Sequence, residues 1–292
     1  MDAALFGHIL HDRGDKRALY LIKVTRLYHK FGKLMRVLGQ KGLGKSTLAY
    51  HFINYILSND EEYKYDTKNL CINHQNKSYI LANNNINQNL IIIDVLKEKK
   101  NIDISQIREL ITKLNKSTFN DKQRFILIDN IELLNLNSVN ALLKVLEEPT
   151  KNTYFILINN NKKVLSTLSS RCLDFKIFLP FNKKKIVIEK LLNDNLENII
   201  NLDLINYYST PGQIYNLIKF SQLNDIDLTK FTLKDFLLKI IKENYYKKDN
   251  SIKFFLLDLF ESYLLKKNFP FSSSISNRYS YFIKKFSEAQ KY

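Results

Sequence analysis

Gly39-Gln40-Lys41-Gly42-Leu43-Gly44-Lys45-Ser46 fits G-x-x-x-x-G-K-[ST], a loop that cradles phosphates. The spacing has a chemical reason. Glycines let the backbone turn tightly, so that successive N–H groups face an anion. The helix that follows offers its positive end to the same phosphates. Lys45 reaches the β- and γ-phosphates and the Ser46 hydroxyl ligates magnesium. The candidate nucleotide-binding set is therefore Gly39, Gly42, Gly44, Lys45, Ser46 and Thr47. A second group belongs with it. Arg124-Phe125-Ile126-Leu127-Ile128-Asp129 is an apolar run ending in an acid. This is the Walker B pattern, in which Asp129 holds magnesium through water. Tyr154 to Ile158 is a further apolar run, followed by Asn159 and Asn160, the candidate sensors of a γ-phosphate.

These groups need a parallel sheet to bring them together. A phosphate loop follows a buried strand, here assigned at about residues 33–38, although Arg36 puts a charge in its middle. After Ser46, Leu48, Phe52, Tyr55 and Ile56 recur at helix spacing. Residues 58–70 are polar and predict a loop, and Leu90 to Val95 predicts a short buried strand. Asp103 to Leu114 predicts a helix with Ile107, Leu110, Ile111 and Leu114 on one face. Ser138 to Pro149 predicts another, with Val139, Leu142, Leu143 and Leu146 as its apolar side. Ser170-Arg171-Cys172 precedes a last strand, Phe175 to Leu179. Strands alternating with helices up to residue 180 predict an α/β unit, with the nucleotide at the carboxyl ends of the strands.

Beyond residue 180 only helical patterns occur: Lys183 to Asn193, Leu202 to Tyr208, Pro211 to Phe220, Asp235 to Tyr246 and Ile252 to Lys267. Ser272 to Ser274 reads as a linker before a final helix over Asn277 to Lys291.

Composition bounds the chemistry. The 292 residues are 45% hydrophobic and 25% charged, as in an ordinary globular protein. No apolar run is long enough to span a membrane as a helix. The first residues lack the basic-then-apolar layout of a secretory signal. Cys71 and Cys172 make neither a disulfide framework nor a zinc quartet, and a reducing cytoplasm is the simplest compartment. His8, His11 and His29 read as surface residues, and Cys71 and His74 as structural ones. The net charge of +16 suits nucleic acid or an acidic partner. It equally suits an A+T-rich coding bias, because the lysines are scattered and Asn, Ile and Tyr are abundant.

The order of these motifs resembles one family. The phosphate loop, the Ile128-Asp129 strand end, Asn140-Ala141-Leu142-Leu143-Lys144 with Leu146-Glu147-Glu148-Pro149, and Ser170-Arg171-Cys172 together resemble the bacterial clamp-loader proteins of the AAA+ class. The resemblance runs from about residue 39 to 220 and, weakly, on to the C-terminus. It implies an AAA+ P-loop NTPase sheet with helices on both faces over residues 1–180. A helical lid over 181–230 and a helical collar over 231–292 would follow. It also implies membership of a ring that places a sliding clamp on primed DNA.

Within the family, three departures favour the stationary delta-prime type over the gamma/tau motor type. The motor pattern has a glutamate after the Walker B aspartate to polarise water. Here that position is Asn130, and Glu132, two residues on, is a poor substitute by position. Ser209-Thr210-Pro211-Gly212 resembles the delta-prime segment, and Gly212 stands where the motor has an arginine. The four-cysteine zinc module is absent. The resemblance thus implies ATP and magnesium as ligands with weak or no turnover, no zinc, and gamma/tau and delta subunits as partners. It also implies that Arg171 acts in trans, as an arginine finger on a neighbour's ATP. Two other classes stay open: a stand-alone P-loop NTPase, or a DNA-binding module drawing on the positive charge.

Overall fold

The computed structural model describes residues 34–96, 99–115, 122–147, 152–205 and 209–245, with Leu256, Leu259, Phe260, Tyr263 and Tyr281. His8, His11, His29, Pro149 and the Ser272–Ser274 linker lie outside these residues, as do most of the expected helices over 252–267 and 277–291.

The first unit contains β1 (Leu34–Leu38), α1 (Lys45–Leu57), α2 (Lys77–Asn83), β2 (Leu90–Ile93) and α3 (Ile104–Leu114). It continues with β3 (Arg124–Ile128), a 3-10 turn at Ile131–Leu133, α4 (Leu136–Glu147), β4 (Thr153–Asn159), α5 (Ser166–Ser169) and β5 (Leu173–Lys176). The strands form one sheet in the order β2-β3-β4-β1-β5, and every pairing is parallel. This is the expected parallel sheet with helices on both faces.

Period-2 alternation sorts the strand residues between two cores. Phe125, Leu127, Ile156, Ile158, Met35 and Val37 pack with Phe52, Ile53 and Leu57 of α1. Ile126, Ile128, Phe155 and Leu157 pack on the other face with Ile107, Leu110 and Leu142 of α3 and α4. Strands covered on both faces favour apolar residues on both, which is why Phe125–Ile128 and Tyr154–Ile158 are continuous hydrophobic runs. Each fully buried Phe, Leu or Ile stabilises the sheet by about 1.5–3 kcal/mol.

Two strand boundaries and one additional helix in this unit differ from expectation. β2 stops at Ile93, and as the edge strand it leaves Ile92 40% exposed, so it is not fully buried. β5 lies two residues earlier than hydrophobicity suggested: Met35 pairs with Leu173 and Leu38 with Lys176, while Phe178 points to solvent. An ion pair rather than apolar burial sets that register, since Arg36 is bonded to Asp174 directly across the pairing. α2 lies in a polar stretch for which no element was expected. Asn76 starts it by accepting the Tyr79 N–H at 2.6 Å.

The chain divides into two compact units between Pro180 and Phe181. The second contains α6 (Phe181–Leu192), α7 (Leu196–Ile199), a 3-10 turn at Leu202–Leu204, α8 (Pro211–Leu223) and α9 (Leu233–Lys242). Its core joins Ile188, Leu196, Ile214, Leu217, Phe236 and Ile240. The helix expected over Leu202 to Tyr208 is a single 3-10 turn. Asn201 caps Asp203, and Ile205 has already returned to an extended conformation. Residues 206–208 lie outside the described set. α8 begins where Pro211 predicted, behind a capping box of Thr210 and Gln213. α9 ends at Lys242, earlier than the expected Tyr246, which lies outside the described residues.

Candidate nucleotide and arginine sites

The phosphate loop leaves β1 at Leu38 and enters α1 at Lys45, and its three glycines have separate reasons. Gly42 and Gly44 have φ of 87° and 80°, in the left-handed region that side chains disfavour. Gly39 is a matter of space: a Cβ there would lie 2.9 Å from the Ile177 carbonyl oxygen. Lys45 is buried. Its ammonium donates to the Gln40 carbonyl at 2.7 Å and to Asn160 Oδ1 at 2.8 Å. Burial pushes its pKa down to about 8, against the attraction of Asp129 and Glu132. Ser46 donates to Asp129 Oδ2 at 2.5 Å. Thr47 is half-buried in the first turn of α1.

Asp129 follows the last residue of β3. Its other oxygen accepts the Asn130 N–H at 2.8 Å, and burial raises its pKa above the usual carboxylate range. Asn130 has a φ of 55°, a conformation Asn tolerates better than most residues. Its amide donates to Asp94 at 2.7 Å, which ties the end of β3 to the end of β2. Asn160 then closes the site from β4. Its Nδ2 donates to Asn130 Oδ1 and to Glu132 Oε1, each at 2.7 Å.

The structure thus brings Lys45, Ser46, Asp129, Asn130, Glu132 and Asn160 to the carboxyl ends of β1, β3 and β4. It separates the two candidate sensors. Asn160 touches the loop lysine. Asn159 is buried beneath, donating to the Lys162 carbonyl, and its Oδ1 has no hydrogen-bond partner among the described residues. The donor set fits a magnesium nucleotide: an ammonium and a glycine-rich turn for phosphates, a hydroxyl and a carboxylate side by side for the ion. It also carries an amide at the position after Asp129, and an amide has no basic lone pair with which to accept a proton from water.

Arg171 lies elsewhere. It follows α5 by two residues and precedes β5, whose pairing with β1 starts at Leu173 opposite Met35. The phosphate loop leaves β1 beyond Leu38, at the opposite end of the sheet. The two levels are about 10 Å of strand apart. The Arg171 side chain is 40% exposed. Its Nη1 donates to the Thr167 carbonyl at 2.8 Å and its Nη2 to Glu147 Oε1 at 2.9 Å. Beneath this turn, Arg36 donates to Ser169 Oγ at 2.9 Å and to both oxygens of Asp174 at 2.8 and 2.6 Å. One buried guanidinium therefore holds the segment on both sides of Arg171. The charge that looked out of place in β1 has this purpose. The available signal was an arginine at a core position, which must find an acid somewhere in the chain.

The remaining sequence candidates are structural in geometry. Cys172 donates to the Leu168 carbonyl, and burial pushes its thiol up to about 11. Cys71 forms a backbone bridge with Asp66, and His74 stacks on Tyr79. Among the described residues no group of three or more His, Cys, Asp or Glu is placed to hold a metal ion. Gly212 is the second residue of α8.

Comparison with known proteins agrees with the resemblance. A family described as "DNA polymerase III, delta subunit" matches residues 28–180. The delta-prime subunit of DNA polymerase III from Buchnera aphidicola subsp. Schizaphis graminum is 32% identical, over 62% of this chain and 54% of its own. That of Buchnera aphidicola subsp. Baizongia pistaciae is 28% identical, over 68% of this chain and 61% of its own. The chain spans less than two thirds of the length of these relatives. Among solved structures, a gamma subunit-related protein of Thermotoga maritima aligns over 75% of this chain and 66% of its own, at 18% identity and a TM-score of 0.42. The chain belongs to the DNA polymerase III delta subunit family, and within it to the delta-prime type.

Proposed function

We propose that this chain is the stationary, delta-prime subunit of a clamp-loader ring in the cytoplasm. Its partners are the gamma/tau and delta subunits, and through the ring it meets the sliding clamp and primed DNA. Residues 181–230 serve as the lid and 231–292 as the collar. Arg171 is its chemical contribution. A guanidinium delivered across a subunit boundary stabilises the charge on a transferring phosphoryl group, an effect worth about a thousandfold or more at the site served.

The observation that carries this reading is the placement of Arg171. It is exposed at the amino end of β5, while the chain's own phosphate loop is at the opposite end of the sheet. An exposed arginine at that end of the sheet supports a role toward another molecule rather than toward the chain's own loop. The chain's own site supports a binding role. Gly39, Gly42, Gly44 and Lys45 would hold the phosphates, Ser46 and Asp129 the magnesium, and Asn160 would contact the terminal phosphate. Magnesium neutralises phosphate charge when bound, and the missing element is a carboxylate at position 130.

The test is Arg171→Ala in a loader reassembled with its gamma/tau and delta subunits. The variant is expected to fold and assemble, and the DNA-stimulated ATPase of the complex to fall. Unchanged activity of the complex refutes the trans-arginine role. Robust ATP turnover by the isolated chain would instead favour a motor subunit.

A further inference from the structure

Glu147 is the last residue of α4. A carboxylate at that position is poorly placed for the helix itself, because the carbonyl end of a helix repels negative charge. Its contact is with Arg171: Oε1 accepts from Nη2 at 2.9 Å. Both side chains are solvent-accessible, 40% exposed for Arg171 and 55% for Glu147. An ion pair of that kind adds little to the stability of a fold. What it can change is the freedom of the arginine. A free arginine side chain samples many rotamers, and a finger that must meet a phosphate pays for losing them at the moment of reaction.

The geometry points to Glu147 as a positioning residue for Arg171, a proposal that rests on the trans-arginine reading above. The guanidinium is held at two of its nitrogens, Nη1 on the Thr167 carbonyl and Nη2 on Glu147. Among the described residues two of its five N–H bonds are used in this way, which leaves three for a phosphate. Thr167 belongs to α5, and Arg36 grips the residues on either side of Arg171 at Ser169 and Asp174. The backbone of the turn is therefore already fixed, and the side chain is the part still able to move. Glu147 fixes it without burying it. A partner's phosphate meets an arginine already held in place and open on one side.

The experiment is a double-mutant cycle in the loader reassembled with its gamma/tau and delta subunits. Four chains are compared: wild type, Glu147→Ala, Arg171→Ala and the double variant. Glu147→Ala is expected to lower kcat of the DNA-stimulated ATPase by about two- to fivefold, the scale of an exposed ion pair, with KM for ATP unchanged. In the Arg171→Ala background the same substitution is expected to change nothing. Melting temperatures of the isolated chains should agree, which separates orientation from folding. Glu147→Gln keeps an acceptor oxygen and should retain part of the rate. An equal loss on both backgrounds, no loss, or a gain in rate overturns the positioning role while leaving Arg171 in place. An Arg171→Ala loader as active as wild type overturns both readings.

Discussion

Arg36→Met removes the guanidinium that joins β1 to the segment before and within β5, and the size of its effect follows from the contacts. Arg36 is 10% exposed at the side chain and makes three side-chain bonds, two to Asp174 and one to Ser169. Removing one partner of a fully buried pair costs about 3–5 kcal/mol, because the other charge is left without water or partner. Here Asp174 is 36% exposed and regains part of its hydration, so the cost falls to about 2–3 kcal/mol. Methionine fills the volume of the arginine stem, which keeps a packing void from adding to the loss. For a unit of this size each kcal/mol moves the midpoint by about 2–4 °C. The melting transition of the first unit should drop by about 4–12 °C on that scale. Urea unfolding followed by circular dichroism is the companion assay. Asp174→Leu in the Arg36→Met background should recover stability, because replacing both partners leaves no orphaned charge. A single variant within 1 kcal/mol of wild type, or a double variant worse than the single one, refutes the claim that this pair sets the register of β5.

Two further outcomes are expected. Lys45 has a pKa near 8 in the fold against 10.5 for a free lysine, so between those values the unfolded chain holds a proton that the folded chain lacks. Stability contributed by this group therefore rises with pH through that window. Phosphate binding needs the ammonium, so ADP affinity should fall about tenfold between pH 7 and pH 9, and Lys45→Met should abolish the dependence; a flat profile in wild type counts against the buried lysine. Asn76→Ala removes the α2 cap and one half of a reciprocal buried amide pair with Asn54, whose two bonds are both 3.0 Å. A loss of about 2–4 kcal/mol is expected from the cap and the unpaired amide together. Faster hydrogen exchange at the Tyr79 amide would localise it, and an unchanged rate there would point away from the cap.

Much of the first unit was legible in the residues because its strands are buried on both faces. Such strands are written as unbroken apolar runs, and the β3 and β4 segments announce themselves. The edges were less legible. β2 is half covered and β5 mostly exposed, so hydrophobicity no longer marks their ends, and in β5 it pointed two residues too far along the chain. α2 was invisible because its stability comes from a cap and a buried amide pair rather than an apolar stripe. The turn at Leu202–Leu204 shows the opposite error, helical spacing that Asn201 starts but that gives way to an extended conformation at Ile205 after one turn.

The candidate sites divide in the same way. The phosphate loop, Asp129 and the missing carboxylate at Asn130 are local matters. They depend on residue type and on short spacing along one chain segment, and the sequence by itself determined them. Everything about which groups meet was decided by the tertiary structure. Asn159 and Asn160 are adjacent in the chain, yet only Asn160 reaches Lys45, because alternation along β4 sends the other into the core. Arg36, Glu147, Ser169 and Asp174 are scattered over 139 positions, and the parallel crossovers that close the sheet gather them around Arg171. A motif records what a short segment can bind. The direction in which an arginine is presented depends on which end of which strand it precedes, and only the assembled sheet determines that.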